Sequence, residues 1–170
     1  MNTSKYNHLT RKELIEKLKE FFDIRELVCP DVFNKFGESS WQFFDRDFLE
    51  SLLILRVDVI CAPMVVNNWH RWRSKELDGE RFTQRGLRCN ICELVAAKTK
   101  KGILYMTSHA NGGGFDFTTA KFSAQECRDK IKAKASMFPC KIRCERGVTW
   151  VHFDIYDNLG TEEIYSEFNG

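Results

Sequence analysis

The chain has no strong charge of either sign, no long uninterrupted apolar run, no internal repeat and no low-complexity tract. Lysine and arginine total 26 against 24 acidic residues, a formal net charge of +2. Composition by itself therefore calls for neither nucleic acid nor an acidic membrane as partner. The longest apolar region, Phe48 to Val66, is interrupted by Arg56, Asp58 and Pro63. It cannot cross a bilayer as a helix of ~20 apolar residues, and reads instead as a core helix followed by a strand. Met1 to Phe22 is polar and mixed in charge, without the apolar centre of a secretory signal, so the expectation is a protein that is cytoplasmic at synthesis. The seven cysteines are an odd number in a chain without an export signal, which argues against a disulfide framework and for free thiols. No stretch reads as a flexible spacer, and 170 residues suffice for one core, so a single domain over 1–170 is expected.

What is present is periodic. Leu14, Ile15, Leu18, Phe21 and Phe22 recur at helical spacing behind Thr10, with Glu13 placed to close a capping box. A second helical segment is expected over Arg25 to Phe36, ended by Gly37, and a third from Ser40 to Ile60 with Phe43, Phe44, Phe48, Leu52, Leu53 and Leu55 on its apolar stripe. Residues 1–60 thus form a helical lead-in, and 64–165 a sheet with further helices. Met64 to Val66 reads as a short buried strand and Asn67 to Arg88 as a loop. Cys89 to Lys100 reads as a helix, Ile103 to Thr107 and Phe115 to Phe117 as strands, and Ser123 to Met137 as an amphipathic helix capped by Ser123. Lys141 to Cys144, Val148 to Tyr156 and Glu163 to Tyr165 close the pattern. The expected fold is α+β, with helices packed on one face of a small antiparallel sheet.

The chemistry concentrates late in the chain. In Thr107-Ser108-His109-Ala110-Asn111-Gly112-Gly113-Gly114-Phe115-Asp116-Phe117, a histidine ends one expected strand and an aspartate lies in the next, with three glycines between. Glycine permits the tight return that would bring His109 and Asp116 together. An aspartate between two phenylalanines on a strand is costly to bury unless it is paired or metal-bound. His152 sits in a similar apolar run, Trp150-Val151-His152-Phe153. Imidazole and carboxylate are both zinc ligands, and a catalytic zinc takes three protein ligands, which His109, Asp116 and His152 would supply.

These residues resemble a known family. Thr107, His109 and Asp116, followed by the late Trp-Val-His strand, are similar to the motifs of the zinc D-Ala-D-Ala carboxypeptidases and related endolysin peptidases, which share the hedgehog/DD-peptidase fold. Arg85 with Asn90 resembles the arginine and asparagine of that family's substrate-carboxylate loop. The resemblance runs from about Met64 to Tyr156. It implies a zinc-dependent metallopeptidase, a hydrolase of peptidoglycan stem peptides, with His109, Asp116 and His152 as ligands and Arg85, Thr107 and Trp150 beside the substrate. It also implies a phage or cell-wall setting, in which the protein acts on the wall after lysis or as part of a virion.

One departure stands out. The family carries a Glu or Asp three residues before the last histidine to take a proton from water, and here that place is Thr149. A hydroxyl cannot serve as the base near neutrality, and losing such a group costs a factor of ~10²–10⁴ in rate. Asp154 and Glu145 are the catalytic carboxylates within reach in sequence. Asp154 shares a strand face with His152 and could equally orient an imidazole, whereas Glu145 would have to fold in from the preceding turn. Trp150 could floor the pocket or belong to the core. The alternative function is a binding module without catalysis, holding a cell-wall fragment or a phage structural partner.

Two weaker patterns complete the reading. Cys89, Cys92, Cys140 and Cys144 could on paper form a four-thiolate zinc site, against which stands the plain reading of buried free thiols, with Cys89 and Cys92 one turn apart on a helix. Trp69-His70-Arg71-Trp72-Arg73, followed by Arg81, Arg85 and Arg88, mixes cations and aromatics as single-strand nucleic-acid binders do. Glu76, Asp78 and Glu80 in the same stretch oppose a phosphate-attracting field, so nucleic acid is disfavoured as a partner.

Overall fold

Thr10 accepts a hydrogen bond from the Glu13 amide while the Glu13 carboxylate accepts one from the Thr10 amide, and this reciprocal cap opens helix α1 (Arg11–Leu18). The computed structural model describes residues 4–71, 79–157 and 160–170. Asp23 and Glu26 repeat the device at α2 (Ile24–Leu27), and Pro30, which has no amide to satisfy, opens α3 (Pro30–Phe36). The segment expected as one helix over Arg25 to Phe36 is therefore two, parted where Val28 bridges to Leu87. A 3-10 segment (Gly37–Phe43) leads into α4 (Arg46–Ile54), which continues as a π-helical turn (Leu55–Ile60) and stops at Cys61, in the left-handed conformation at φ 51°. Among the described residues, no helix is long and apolar enough to cross a membrane.

The second half supplies α5 (Glu93–Lys100), α6 (Ala124–Ala133) and four short strands: β1 (Gly114–Phe117), β2 (Ile142–Glu145), β3 (Val151–Asp154) and β4 (Tyr165–Phe168). They form one sheet in the order β1-β3-β2-β4. The fold is α+β. The sheet is mixed rather than antiparallel as expected: β3 is antiparallel to both β1 and β2, but β4 runs parallel to β2. With β2 lying between β3 and β4, the chain returning from β3 reaches the far side of β2 already pointing in β2's direction.

Alternation along these strands divides the sheet into a dry face and a polar one. Phe115, Phe117, Ile142, Cys144, Val151 and Phe153 are all buried within 1% exposure against the helices. Phe48 of α4 meets Phe115 edge-on at 5.7 Å, and Phe138 tilts against Phe153 at 5.5 Å. Each such fully buried aromatic or aliphatic side chain contributes ~1.5–3 kcal/mol. The residues between them, Asp116, His152, Asp154, Arg143 and Glu145, therefore have the other face in common. Arg128 of α6 is buried and donates to the Trp150 carbonyl at 3.1 Å and, more weakly, to those of Glu145 and Val148, which ties the β2–β3 turn to the helix layer.

Three further expected elements differ. Ile103 to Thr107 is not a strand, and Ile103, Leu104 and Met106 are exposed. The edge of β1 that it would join is already taken, because the Asp116 amide donates to the Arg85 carbonyl at 2.7 Å and Thr118 bridges to Val65. That bridge is all that forms of the strand expected at Met64 to Val66. The helix expected from Cys89 begins only at Glu93, and Cys89 to Cys92 is a turn closed by the Cys92 amide on the Cys89 carbonyl. Trp72, Arg73, Glu76 and Asp78 of the basic aromatic stretch lie outside the described residues.

Candidate metal centre

The glycine run works through two of its members. Gly112 takes φ +71° and lies so close to the Phe43 carbonyl that a Cβ there would sit 2.0 Å from its oxygen. Gly114 opens β1 against Ser108, whose Oγ would lie 2.4 Å from a Cβ. The return brings His109 back over β1, while the β1–β3 register sets Asp116 directly opposite His152. Directly opposed residues of an antiparallel pair point to one face, so aspartate and imidazole meet there.

All three side chains are buried, at 3%, 8% and 7% exposure for His109, Asp116 and His152. His152 Nδ1 lies 2.8 Å from Asp116 Oδ1 and 3.2 Å from His109 Nε2, and the latter is 3.4 Å from Asp116 Oδ1. The outward nitrogens fix the tautomers. His109 Nδ1 is 2.9 Å from the Gly86 carbonyl, which can only accept, so the proton is on Nδ1 and Nε2 carries a lone pair. His152 Nε2 is 2.9 Å from Asp154 Oδ2, and Asp154 is held by Arg143 through Nε at 2.9 Å and Nη2 at 3.0 Å and by the Tyr156 amide at 3.0 Å. With its Nε2 proton given to Asp154, His152 also turns a lone pair inward.

Three acceptors thus face one another, an arrangement that demands a positive charge between them. A proton satisfies it in part: burial disfavours charge on His152, but its bonds to Asp116 and Asp154 outweigh this and raise its pKa to about 9. Burial, with the nearby charges of Arg88 and His152, outweighs the pull of Asp116 and pushes the His109 pKa down. Burial would push that of Asp116 up, yet the neighbouring imidazoles of His109 and His152 hold it well below the carboxylate range. A divalent cation satisfies all three acceptors at once. Ligand bonds of 2.0–2.1 Å in tetrahedral array put donor atoms about 3.3 Å apart, close to the 2.8–3.4 Å found here. Two histidines and a carboxylate, each with an outer hydrogen-bond partner, can hold a metal ion.

The other candidates are distributed unevenly. Arg88, which no motif singled out, donates to Asp116 Oδ2 at 3.1 Å and leaves Oδ1 as that residue's metal-facing oxygen. Its only signal was membership of a run of arginines. Arg85 instead lies over the Phe82 ring and donates to Thr118 Oγ1 at 3.2 Å, while its carbonyl holds the Asp116 amide. Among the described residues Thr107 Oγ1 is buried without a hydrogen-bond partner, and Trp150 is half-buried with its carbonyl held by Arg128. Thr149 lines a small cavity with Phe117, Cys127 and Val151, on the helix side of the sheet and away from the histidines. Asp154 is committed to His152 and Arg143. Glu145 follows Cys144, which pairs with Phe153, so one further step of register faces it toward His152, with its carboxylate against Gly170.

Cys140 and Cys144 do not join the other cysteines: Cys140 approaches Ser51 and Cys144 is buried in the sheet core. Cys89 and Cys92 converge instead with Cys29 and Asp31 in a second potential metal cluster. A cleft of about 740 Å³ is lined by Glu26, Asn68, Arg71, Phe82 and Thr119 among others and by none of the three ligand candidates. The convergence of acceptor atoms is the stronger guide to chemistry, because clefts need no charge to explain them. Fold and site together define an α+β structure with a buried two-histidine, one-aspartate cluster that could hold a metal ion. Comparison with family models, with curated proteins and with solved structures finds no match.

Proposed function

We propose that the protein is a zinc-dependent peptidase-like domain that hydrolyses peptide bonds in peptidoglycan stem peptides. The observation that carries this reading is the inward convergence of His109 Nε2, His152 Nδ1 and Asp116 Oδ1, each fixed from behind by Gly86, Asp154 and Arg88. The set fits zinc by donor type and number: three nitrogen and oxygen ligands are the complement of a catalytic site, which keeps its fourth position for water or substrate. When bound, zinc supplies Lewis-acid polarisation of a carbonyl and makes water a stronger acid. The similarity of Thr107, His109, Asp116 and Trp150-Val151-His152 to the carboxypeptidase and endolysin motifs supports the substrate class.

The chain's own residues then divide the work. Asp154 and Arg143 hold the His152 ring rather than exchange protons, since that carboxylate is already doubly engaged. Glu145 is the carboxylate on the polar face left to act as general base, in place of the acid that the motif would have at Thr149. Arg85, flanking β1, is the cation available to a substrate carboxylate. The second reading, a metal-containing module that binds wall fragments or a phage partner without cleaving them, is favoured by Thr149 facing away from the histidines. Incubation of the metal-loaded protein with muropeptides decides between them. Chelator-sensitive release of D-Ala or cleaved stem peptides, lost in Glu145→Gln with metal content unchanged, supports the peptidase. One bound metal per His/Asp site and no turnover on any muropeptide leaves the binding module.

A further inference from the structure

We propose that Cys29, Asp31, Cys89 and Cys92 form a second, structural zinc site that clamps the 85–92 turn to the helical lead-in. Two segments 60 residues apart converge here: Cys29 Sγ is 3.6 Å from Cys89 Sγ, Cys89 Sγ is 3.3 Å from Cys92 Sγ, and Asp31 Oδ2 is 3.9 Å from Cys89 Sγ. All four ligand atoms lie within 4.8 Å of one another. Tetrahedral zinc with bonds of ~2.3 Å to sulfur separates its thiolates by about 3.8 Å, so the cluster closes on an ion with small adjustments. The sulfur separations are far beyond the ~2.05 Å of a disulfide.

Packing of free thiols explains less. Cys29 and Cys92 are buried, but Cys89 is half-exposed and Asp31 is exposed, and neither has reason to turn inward as a hydrophobe. Cys89 and Cys92 have the two-residue spacing of zinc-binding turns, and the Cys89 amide donates to Cys92 Sγ at 3.2 Å, as a thiolate requires for partial neutralisation. Soft thiolates select zinc over magnesium or calcium, and four protein ligands leave no open position, which makes the site structural.

Its place in the fold gives it work to do. The Cys29 amide donates to the Leu87 carbonyl at 3.0 Å and the Leu87 amide to the Leu27 carbonyl at 2.8 Å, so the clamp lies beside the bridge that anchors this turn. From the same turn come the Gly86 carbonyl on His109, the Arg85 carbonyl on the Asp116 amide and the Arg88 guanidinium on Asp116. Because the four ligands come together only in the folded chain, the free energy of binding an ion there adds to the stability of the fold.

The full-length protein, expressed with zinc, is measured for metal content as wild type, His109→Ala/His152→Ala and Cys89→Ser. The double variant is expected to keep one zinc per chain and, with cobalt in its place, to show thiolate-to-metal charge-transfer absorption; Cys89→Ser is expected to lose one equivalent. A double variant without metal, or a Cys89→Ser chain with unchanged content, overturns the proposal. Alkylation of the wild type is independent of any substitution. Exposed Cys61 should react at once, whereas Cys89 should react at least roughly tenfold more slowly until a chelator is added. Equal reactivity of Cys89 and Cys61 in zinc-loaded protein, or a Cys89–Cys92 disulfide formed without added oxidant, also overturns it. Failure of the His/Asp site alone reads differently, as a single zinc lost in Cys89→Ser and kept in the double variant.

Discussion

His152 is an imidazole between two carboxylates, and the species that occupies its inner nitrogen decides how the site responds to pH. Without metal, its pKa is raised from 6.5 to about 9, so the charged ring stabilises the fold fully below about 6.5 and that contribution is lost as pH rises through about 9. Asp116 has the opposite sign: its depressed pKa contributes stability above the ordinary carboxylate range, which is lost as pH falls. A metal must displace the His152 proton. Loading at pH 7 should therefore release about one proton per chain from this centre, read by calorimetry in buffers of differing ionisation enthalpy, and affinity should climb with pH until about 9. Absence of proton release in a metal-binding His/Asp site would mean that His152 is neutral beforehand. Arg143 acts one shell further out. Arg143→Ala frees Asp154, and should weaken metal binding at the histidines by ~10–100-fold while leaving the fold intact, measured by competition with a chelating dye.

At the scale of elements, the return between His109 and β1 is set by backbone geometry. Gly112→Ala would place a Cβ at φ +71° and against the Phe43 carbonyl. The left-handed conformation alone costs about 1–2 kcal/mol for an L-residue. The variant should melt lower and bind metal less tightly; an unchanged melting temperature would show that the return can relax. What the sequence made legible was local. Reciprocal caps at Thr10 and Ser123 depend on residues three apart, and the alternation in Phe-Asp-Phe and Val-His-Phe-Asp assigns strand faces without knowledge of neighbours. What it hid depends on partners far along the chain. The Ile103 to Thr107 run has strand character, but Arg85 and Val65 already hold the edge it would need. The motif pointed to Arg85 and not to Arg88, and only the turn they share determines that it is Arg88 that reaches Asp116. The role of Asp154 likewise waited on the β2–β3 register that brings Arg143 opposite it. The thiols are free, as expected, but the approach of Cys29 to Cys89 was hidden for the same reason, since the two lie 60 residues apart.

Across the whole molecule, the parallel placement of β4 leaves the two borders of the sheet unlike. The β1 border is sealed by Arg85 and Val65, whereas β4 is bonded along β2 and is the last strand in the order. A strand with one row of free amides and carbonyls is a template for another copy of itself. The flanking Glu162, Glu163 and Glu167 place carboxylates beside that strand, and charged side chains on an edge strand oppose its pairing with another copy. Replacing all three by glutamine should increase self-association through strand addition relative to the wild type, visible by light scattering and by growth of amyloid-dye fluorescence. The role expected of these glutamates is thus a guard against polymerisation, held in three side chains that the folded chain does not need for its core.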